Sequence, residues 1–215
     1  MKFTPVLLPI IIEAIADVIE KNSVEVTDLD QALGDGDHVI NLQRGLDALM
    51  SERAELAQLD WVDAWHKIGM MLMVSVGGAS GSLYGTLFIA LSRAGRDKEL
   101  ALQIFADVLT QGVEAVKKRG RSDSGEKTLL DVFIPVVNYL RTASVDSTSL
   151  VDVLDNVSKV AIAGMESTRN MLATKGRASF LEERSLGHID AGAKTAQLMI
   201  CAIVDVLSSQ LTSPT

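Results

Sequence analysis

Apolar residues recur every three or four positions along almost the whole chain, and this spacing constrains the fold more than any other feature. In the fifth such run, Leu102, Phe105, Leu109, Val113 and Val116 would share one face of a helix. No segment shows the convincing alternation of apolar and polar residues that marks a half-buried strand. The spacing predicts an all-α protein with eight amphipathic helices, at residues 5–21, 38–50, 61–76, 80–95, 98–118, 126–141, 149–173 and 192–208.

Short connections between these runs predict an up-and-down bundle of antiparallel helices. No flexible linker and no internal repeat divides the 215 residues, so we predict one domain over residues 1–210 and a tail over residues 211–215. Every connection that leads from an odd to an even helix would then lie at the same end of the bundle. Most glycines cluster at these connections, and the sequence therefore predicts a composite site at one rim.

The charge balance limits the classes of partner. The chain has 28 acidic and 20 basic residues and a net charge of −8, which argues against non-specific binding of nucleic acid or of an anionic membrane. Cys201 is the only cysteine, so no intrachain disulfide can form. No uninterrupted apolar run approaches the ~18 residues of a membrane span. We expect a soluble, cytoplasmic protein that binds neither nucleic acid nor membrane.

Three acids at the first junction predict a metal site. Asp30, Asp35 and Asp37 lie close together in the sequence, with Gly34 and Gly36 between them. Carboxylates in such a turn repel one another unless a cation lies among them, and their hard oxygens suit Mg²⁺ or Ca²⁺. The spacing does not match an EF-hand. The alternative is a solvated turn in which Asp and Gly favour tight backbone geometry.

The residues that follow these acids favour an anion. His38 and Asn41 would occupy the first turn of the second helix, where side-chain donors and free backbone N–H groups attract phosphate. His38 is then a phosphate donor, or a histidine whose positive charge the acids favour. At the second junction, Ser80 follows a glycine pair without the lysine of a Walker A loop. Small residues there fit a phosphate cradle and tight helix packing equally well.

Basic residues dominate the third and fourth junctions. A basic loop is often only a solvated helix end, but the last loop is long, with roughly 18 residues, and such loops tend to be functional. Acids at one junction and bases at two others suit a metal-bound polyphosphate. The residues concerned are Lys117, Lys118, Arg119, Arg121 and Lys127 at the third junction, and Lys175, Arg177, Arg184, His188 and Asp190 at the fourth.

Four segments together resemble the nucleotide-binding L subunits of the phosphotransferase-dependent dihydroxyacetone kinases. They read L-D-Q-A-L-G-D-G-D-H-V-I-N, S-V-G-G-A-S-G, G-E-K-T-L-L-D-V-F-I-P and K-G-R-A-S-F-L-E-E-R-S-L-G-H-I-D-A-G-A. The resemblance covers essentially the whole chain and keeps the order and spacing of the motifs. It implies a barrel of eight antiparallel amphipathic helices with tightly bound ADP or ATP and two Mg²⁺ at one end.

The resemblance also implies roles for individual residues. Asp30, Asp35 and Asp37 would hold the metals, and Arg177 would offset charge on the phosphoryl oxygens. Two positions depart from the family pattern: Val39 replaces a small residue, and Ala191 replaces the proline of D-P-G, which loosens a turn. The residues implied at the nucleotide are His38, Val39, Ile40, Asn41, Ala79, Ser80, Gly120, Leu129, Arg177, Asp190, Ala191 and Gly192.

The implied activity is that of one subunit in a multi-protein kinase of glycerol metabolism. Bound Mg-ADP would be rephosphorylated by a phosphohistidine on an M-type subunit, which draws on phosphoenolpyruvate. The γ-phosphoryl group would then pass to dihydroxyacetone on a K-type subunit, a domain that this chain lacks. Two alternatives stay open: an ATP-dependent kinase subunit for another small ketose or polyol, and a nucleotide-sensing regulatory subunit. The oligomeric state, a homodimer included, is also open.

Overall fold

The structure, a computed structural model that describes residues 4–143 and 149–212, confirms the all-α prediction. Over these residues it contains α-helices and short 3-10 segments but no strand. The helices are α1 (Leu8–Lys21), α2 (Ser23–Leu33), α3 (His38–Leu56), α4 (Trp61–Ser75), α5 (Gly78–Gly95), α6 (Leu102–Gly120), α7 (Leu130–Ala143), α8 (Leu150–Ser167) and α9 (Ala191–Thr212). The 3-10 segments are Pro5–Leu7, Thr168–Asn170 and Arg177–Ser185.

Eight of the helices close into a ring, as the eight predicted runs require. Helix α1 packs against α3, each helix from α3 to α8 packs against the next, and α9 returns to contact α1. The ring surrounds one continuous apolar core, to which α3 contributes Leu42, α5 contributes Leu87, α7 contributes Val137 and α9 contributes Val204. Because successive helices are joined by short connections, alternate connections lie at the same end of this barrel.

Helix α2 lies where the sequence predicts part of a long first junction. It begins directly after Asn22, whose side-chain amide donates to the Val18 carbonyl oxygen over 2.7 Å. Val26 is fully buried against Ile19 and Val39 in a second apolar cluster. The helix also contacts α9 and the Arg177–Ser185 segment. Asp30 is therefore presented from the last turn of a helix, and not from a flexible turn as the sequence suggested.

Several helix ends differ from the prediction. Helix α6 begins at Leu102 and α7 at Leu130, each four residues later than predicted, while α8 ends earlier, at Ser167. Pro135 lies inside α7 without ending it. The last helix continues to Thr212, two residues into the predicted tail, and the rest of that tail, residues 213–215, lies outside the described residues.

Helix α9 is the one helix in the described part of the chain that is long and apolar enough by composition to cross a membrane. Half of this stretch is buried inside the barrel, where Ala193, Ala196 and Val204 join the core. The core helix of a soluble protein meets the same criteria of length and composition.

Candidate functional site

The four junctions predicted to share one rim are brought together. The first contacts the second where the His38 Nδ1 atom lies 3.4 Å from the Ser80 hydroxyl oxygen. The first contacts the fourth where Arg177 pairs with Asp35 at 2.7 Å. The third contacts the fourth where the Lys175 ammonium group pairs with the Glu126 carboxylate at 3.2 Å. Residues distant in sequence therefore form one continuous surface at one end of the barrel.

The acidic cluster at this rim fits a cation. Each of Asp30, Asp35 and Asp37 offers a carboxylate oxygen, and these oxygens lie within 4.8 Å of one another. The clustered residues are partly or fully exposed to solvent. The His38 backbone N–H donates to the Asp30 Oδ2 atom at 3.1 Å, which fixes this carboxylate against the start of α3. Several hard oxygens at this separation form a suitable ligand set for Mg²⁺.

Arg177 reaches the acidic cluster from the opposite loop. Its guanidinium group pairs with Asp35, although 71% of the Arg177 side chain is exposed. An exposed ion pair of this kind contributes only about 0–1 kcal/mol to stability. The pair therefore does more to place a positive charge beside the carboxylates than to hold the fold together.

Two helices begin beside the acids and offer backbone donors. The first N–H groups of a helix have no acceptor within it and favour anions. Helix α5 starts at Gly78, whose φ of +64° favours glycine. A Cβ atom at the preceding Gly77 would lie 2.1 Å from the Asn41 Oδ1 atom, so a larger residue there would displace the Asn41 amide. The second-junction glycines thus allow α5 to begin close to α3, with its first N–H groups beside the acids.

His38 lies between three helices, with its ring partly buried. Its Nε2 atom is 2.9 Å from the Thr195 hydroxyl oxygen on α9, and its Nδ1 atom faces Ser80 on α5. Burial lowers the pKa of His38, and the nearby Asp30 and Asp37 carboxylates only partly oppose this. The structure therefore favours a neutral imidazole over the positively charged histidine that the neighbouring acids alone would suggest.

Other predicted contact residues differ in how they face the rim. The Val39 side chain is buried in the apolar cluster beneath α2, whereas Ile40 is 55% exposed. Leu129 is buried in the main core beside Gly192. Ala79 is exposed at the start of α5, and Gly120 ends α6 near Leu83 and is half-buried. The Val39 side chain is thus too buried to contact a ligand at the rim. A contact by Val39 would have to use its backbone N–H.

Asp190 organises the start of α9. Its Oδ2 atom accepts the Ala193 N–H at 2.7 Å, and its own N–H donates to the Thr168 hydroxyl at 3.1 Å. Burial raises the pKa of Asp190 to about 6, with Lys127 partly opposing the shift. Ala191, which stands where the family pattern has proline, is buried as the first residue of α9. The Asp190 carboxylate caps the first turn of α9. This hydrogen bond holds the turn at Ala191, where alanine restricts the backbone less than proline would.

Besides Arg177, four of the nine predicted phosphate-binding bases have protein partners of their own in this structure. Lys117 pairs with Glu114 and Asp123, and Arg119 donates to the Ser82 hydroxyl. Lys175 pairs with Glu126 at 3.2 Å. Lys127 is 2% exposed and donates to two backbone carbonyl oxygens.

Sequence reasoning missed Thr195, which is fully buried and bonded to His38 across the barrel. A signal was available, because Thr195 and Gln197 are polar residues in the long apolar stretch of α9. Buried polar groups of this kind require partners. What the sequence does not give is the partner, which lies 157 positions away.

Glu126 links the third junction to the fourth. Its carboxylate accepts the Asp123 N–H at 2.7 Å and the Thr174 hydroxyl at 3.0 Å, and pairs with Lys175. Burial alone would raise the pKa of Glu126, but these donors outweigh burial and lower the pKa to about 2. A carboxyl with a lowered folded pKa stabilises the fold above its unfolded value of about 4.3 and loses that contribution as the pH falls.

We expect Glu126→Gln to lower the free energy of unfolding by about 1–2 kcal/mol at neutral pH. The wild type should lose this advantage between about pH 4.5 and pH 2, so the two proteins converge in acid. Urea denaturation across this pH range measures both effects. Glu166→Gln is the control, because its pair with Arg169 is exposed and contributes little. A constant difference between Glu126→Gln and wild type across the whole range would contradict the prediction.

The chain is similar in sequence to a known family of protein domains. The family described as the DAK2 domain matches residues 32–205. The chain is 41% identical to the ADP-binding subunit DhaL of PEP-dependent dihydroxyacetone kinase 1 from Listeria innocua, over 86% of this chain and 88% of that protein. It is 38% identical to the ADP-binding subunit DhaL from Escherichia coli K12, with the same coverage of both chains.

A solved structure shows the same fold. The crystal structure of the dihydroxyacetone kinase from C. freundii in complex with AMP-PNP and Mg²⁺ superposes with a TM-score of 0.72 at 23% identity. The match covers 93% of this chain and 33% of that larger one.

The helical barrel with its acidic rim thus defines a protein of the DAK2-domain class. Sequence identity with the two DhaL subunits, over most of the length of both proteins, gives a more specific assignment within this class. The chain belongs to the DhaL family, the ADP-binding subunits of the phosphoenolpyruvate-dependent dihydroxyacetone kinases.

Proposed function

We propose that this chain is the ADP- and ATP-binding subunit of a phosphoenolpyruvate-dependent dihydroxyacetone kinase. The observation that carries the proposal is the cluster of Asp30, Asp35 and Asp37 beside the first turn of α3, in a chain whose relatives are named ADP-binding DhaL subunits. Carboxylates suit Mg²⁺, and amides at helix N-termini suit phosphate. The rim therefore fits a metal-bound nucleotide.

Each group of residues has a proposed role. Asp30, Asp35 and Asp37 hold two Mg²⁺, whose charge offsets that of the phosphates when the nucleotide is bound. Arg177 stabilises negative charge that develops on the transferred group. No residue of this chain is assigned as a general base. The proposed contacts to the tightly bound nucleotide are His38, Val39 and Ile40 through the start of α3, together with Asn41, Ala79, Ser80, Gly120, Leu129, Arg177, Asp190, Ala191 and Gly192.

The reaction requires other proteins. A phosphohistidine on an M-type subunit of the phosphotransferase system supplies the phosphoryl group, and dihydroxyacetone on a K-type subunit receives it. A DhaL-type domain over residues 1–210, in a cytoplasmic protein, suits this relay. The relatives support it, since they are named as subunits of phosphoenolpyruvate-dependent kinases.

Exposed apolar side chains near the rim support docking of the K-type subunit. Val24 and Ile40 are exposed and line one open groove of about 320 Å³ between α2 and α3. Phe180, three residues after Arg177, is 84% exposed. Exposed apolar groups beside a charged site are typical of a surface that a partner covers.

The first test of the proposal is nucleotide retention. Denaturing the purified protein should release stoichiometric ADP, and EDTA should lower the melting temperature by about 5–10 °C, because a ligand that binds only the folded state stabilises it. Calorimetry then measures rebinding of Mg-ADP. A nucleotide-free protein that does not bind added Mg-ADP would refute the proposal.

The second test separates the proposed relay from its alternatives. The purified protein is mixed with K-type and M-type subunits, and dihydroxyacetone phosphate is measured either with free ATP or with phosphoenolpyruvate and the proteins that pass its phosphoryl group to the M-type histidine. Product formed only with the phosphoenolpyruvate relay supports the proposal. Turnover with free ATP alone, transfer to another ketose in preference, or binding of ADP without any transfer would each contradict it.

A further inference from the structure

Thr195 is a buried polar residue that the proposed reaction does not use. It lies on α9 with no solvent exposure, and its hydroxyl oxygen is 2.9 Å from the His38 Nε2 atom. The same hydroxyl group lies 3.1 Å from the Gly192 carbonyl oxygen, three residues earlier on α9. A buried hydroxyl group with two neighbours must share its one proton and its lone pairs between them.

The proton count at Thr195 determines the protonation of the His38 ring. The Thr195 hydroxyl donates its one proton to the Gly192 carbonyl oxygen, as a threonine within a helix commonly does toward the preceding turn. The oxygen can then only accept from His38, so the Nε2 atom carries the hydrogen. The Nδ1 atom of a neutral ring has a free lone pair, and it faces the Ser80 hydroxyl at 3.4 Å.

Tyr84 supports the accepting role of Thr195. It lies one helical turn below Ser80 on α5, and its ring is buried in the core. Its hydroxyl is close to Thr195, and burial raises the pKa of this phenol. The Tyr84 hydroxyl completes no hydrogen bond among the described residues. Its neutral phenol therefore has a proton available for the Thr195 oxygen, which has a second lone pair beside the one that accepts from His38.

We propose that Thr195 is a positioning residue that fixes the Nε2–H tautomer of His38 and thereby directs the Ser80 hydroxyl proton toward the Nδ1 atom. In this arrangement His38 accepts a hydrogen bond at the rim through Nδ1, and does not donate one to phosphate as the sequence suggests. The Ser80 oxygen then turns its lone pairs toward the rim, where they suit Mg²⁺ and not a phosphate oxygen, which has no proton to donate. The hydrogen bonds from Thr195 on α9 through His38 to Ser80 thus determine whether the Ser80 hydroxyl presents a proton or a lone pair at the rim.

The tautomer can be measured directly. Long-range ¹H–¹⁵N NMR spectra of the nucleotide-free protein at about pH 8, above the ordinary histidine pKa, distinguish the protonated from the unprotonated ring nitrogen. The chain has three histidines, and a His38→Gln spectrum assigns the signal. We expect Nε2–H in the wild type. A wild-type spectrum with the proton on Nδ1 would overturn the proposal without any variant.

Two variants of Thr195 test the cause. Thr195→Val replaces the hydroxyl with a methyl group of similar size, so the Nε2 atom loses its acceptor and the proton should move to Nδ1. Thr195→Ser retains the hydroxyl and should keep Nε2–H. Ser80→Ala should also keep Nε2–H, because Thr195 is intact. A shift to Nδ1–H in Ser80→Ala, or an unchanged tautomer in folded Thr195→Val, would overturn the proposal.

The binding consequence rests on the proposed function and is measured separately. Thr195→Val should bind Mg-ADP about 3- to 10-fold more weakly than wild type, the effect of one misdirected hydrogen bond. Thr195→Ser should restore the affinity. If no form of the protein binds Mg-ADP, the proposed function fails while the tautomer result still stands. If Thr195→Val shifts the tautomer but keeps full affinity, the positioning role is refuted.

Discussion

Lys127→Met should lower the free energy of unfolding by about 2–4 kcal/mol, the largest stability effect we expect from a single polar side chain in this protein. The Lys127 side chain is 2% exposed. Its ammonium group donates to the Thr168 carbonyl oxygen at 2.6 Å and also to the His188 carbonyl oxygen. Methionine fills a similar volume but donates to neither oxygen, so two carbonyl groups lose a donor that holds the last loop to the start of α7.

The desolvation cost of the buried Lys127 charge limits the size of this effect. Burial lowers the pKa of Lys127, with the Asp190 and Asp131 carboxylates acting in the opposite direction. Removing a buried charge therefore recovers part of its desolvation cost, whereas an unpaired carbonyl group in the core costs about 1–3 kcal/mol. We expect the carbonyl groups to dominate, because two of them depend on one side chain.

Urea denaturation followed by circular dichroism measures the change. Lys159→Met is the matched control, since Lys159 is 66% exposed and pairs with Asp155 one turn away. That substitution should leave the free energy of unfolding nearly unchanged. Equal stability of Lys127→Met and wild type would mean that water or other groups satisfy both carbonyl oxygens.

The fold could be predicted from the sequence where the apolar pattern is strong. The eight ring helices each bury a broad apolar face, so their spacing is evident without a structure. Helix α2 was missed although Val26, Leu29 and Leu33 are spaced by three and four. Its other residues are mostly polar, and the contacts of Val26 with Ile19 and Val39 that stabilise it are not local. Helical propensity alone is a weak guide for such a segment.

The site could be predicted in part for the same reason. The acids Asp30, Asp35 and Asp37 are close in the sequence, and local spacing was enough to place them together. The bases were harder, because a lysine in a loop gives no sign of whether it faces solvent or the core. The Lys127 ammonium group donates to one carbonyl oxygen 41 positions away and to another 61 positions away in the sequence. Only the packed barrel determines such partners.

Asp35→Asn should weaken Mg-ADP binding by about 10- to 100-fold, because replacing a carboxylate with an amide removes one negative charge and one hard anionic ligand from the cluster. The fold should stay nearly intact. Asp35 is 36% exposed and its ion pair with Arg177 lies at the surface, so its loss should change the free energy of unfolding by less than about 1 kcal/mol. Calorimetry with Mg-ADP and far-UV circular dichroism measure the two quantities.

Arg177→Gln distinguishes the proposed role of Asp35 as a metal ligand from its role as the ion-pair partner of Arg177. This variant breaks the same ion pair but keeps all three carboxylates of the acidic cluster. If Asp35 acts as a metal ligand, titration of Mg²⁺ at saturating ADP should show a lower metal affinity in Asp35→Asn, whereas Arg177→Gln should weaken the binding of ADP more than that of the metal. Equal loss of metal affinity in both variants would show that the ion pair, and not the carboxylate itself, organises the rim. Global unfolding of Asp35→Asn would instead assign this carboxylate to the stability of the fold.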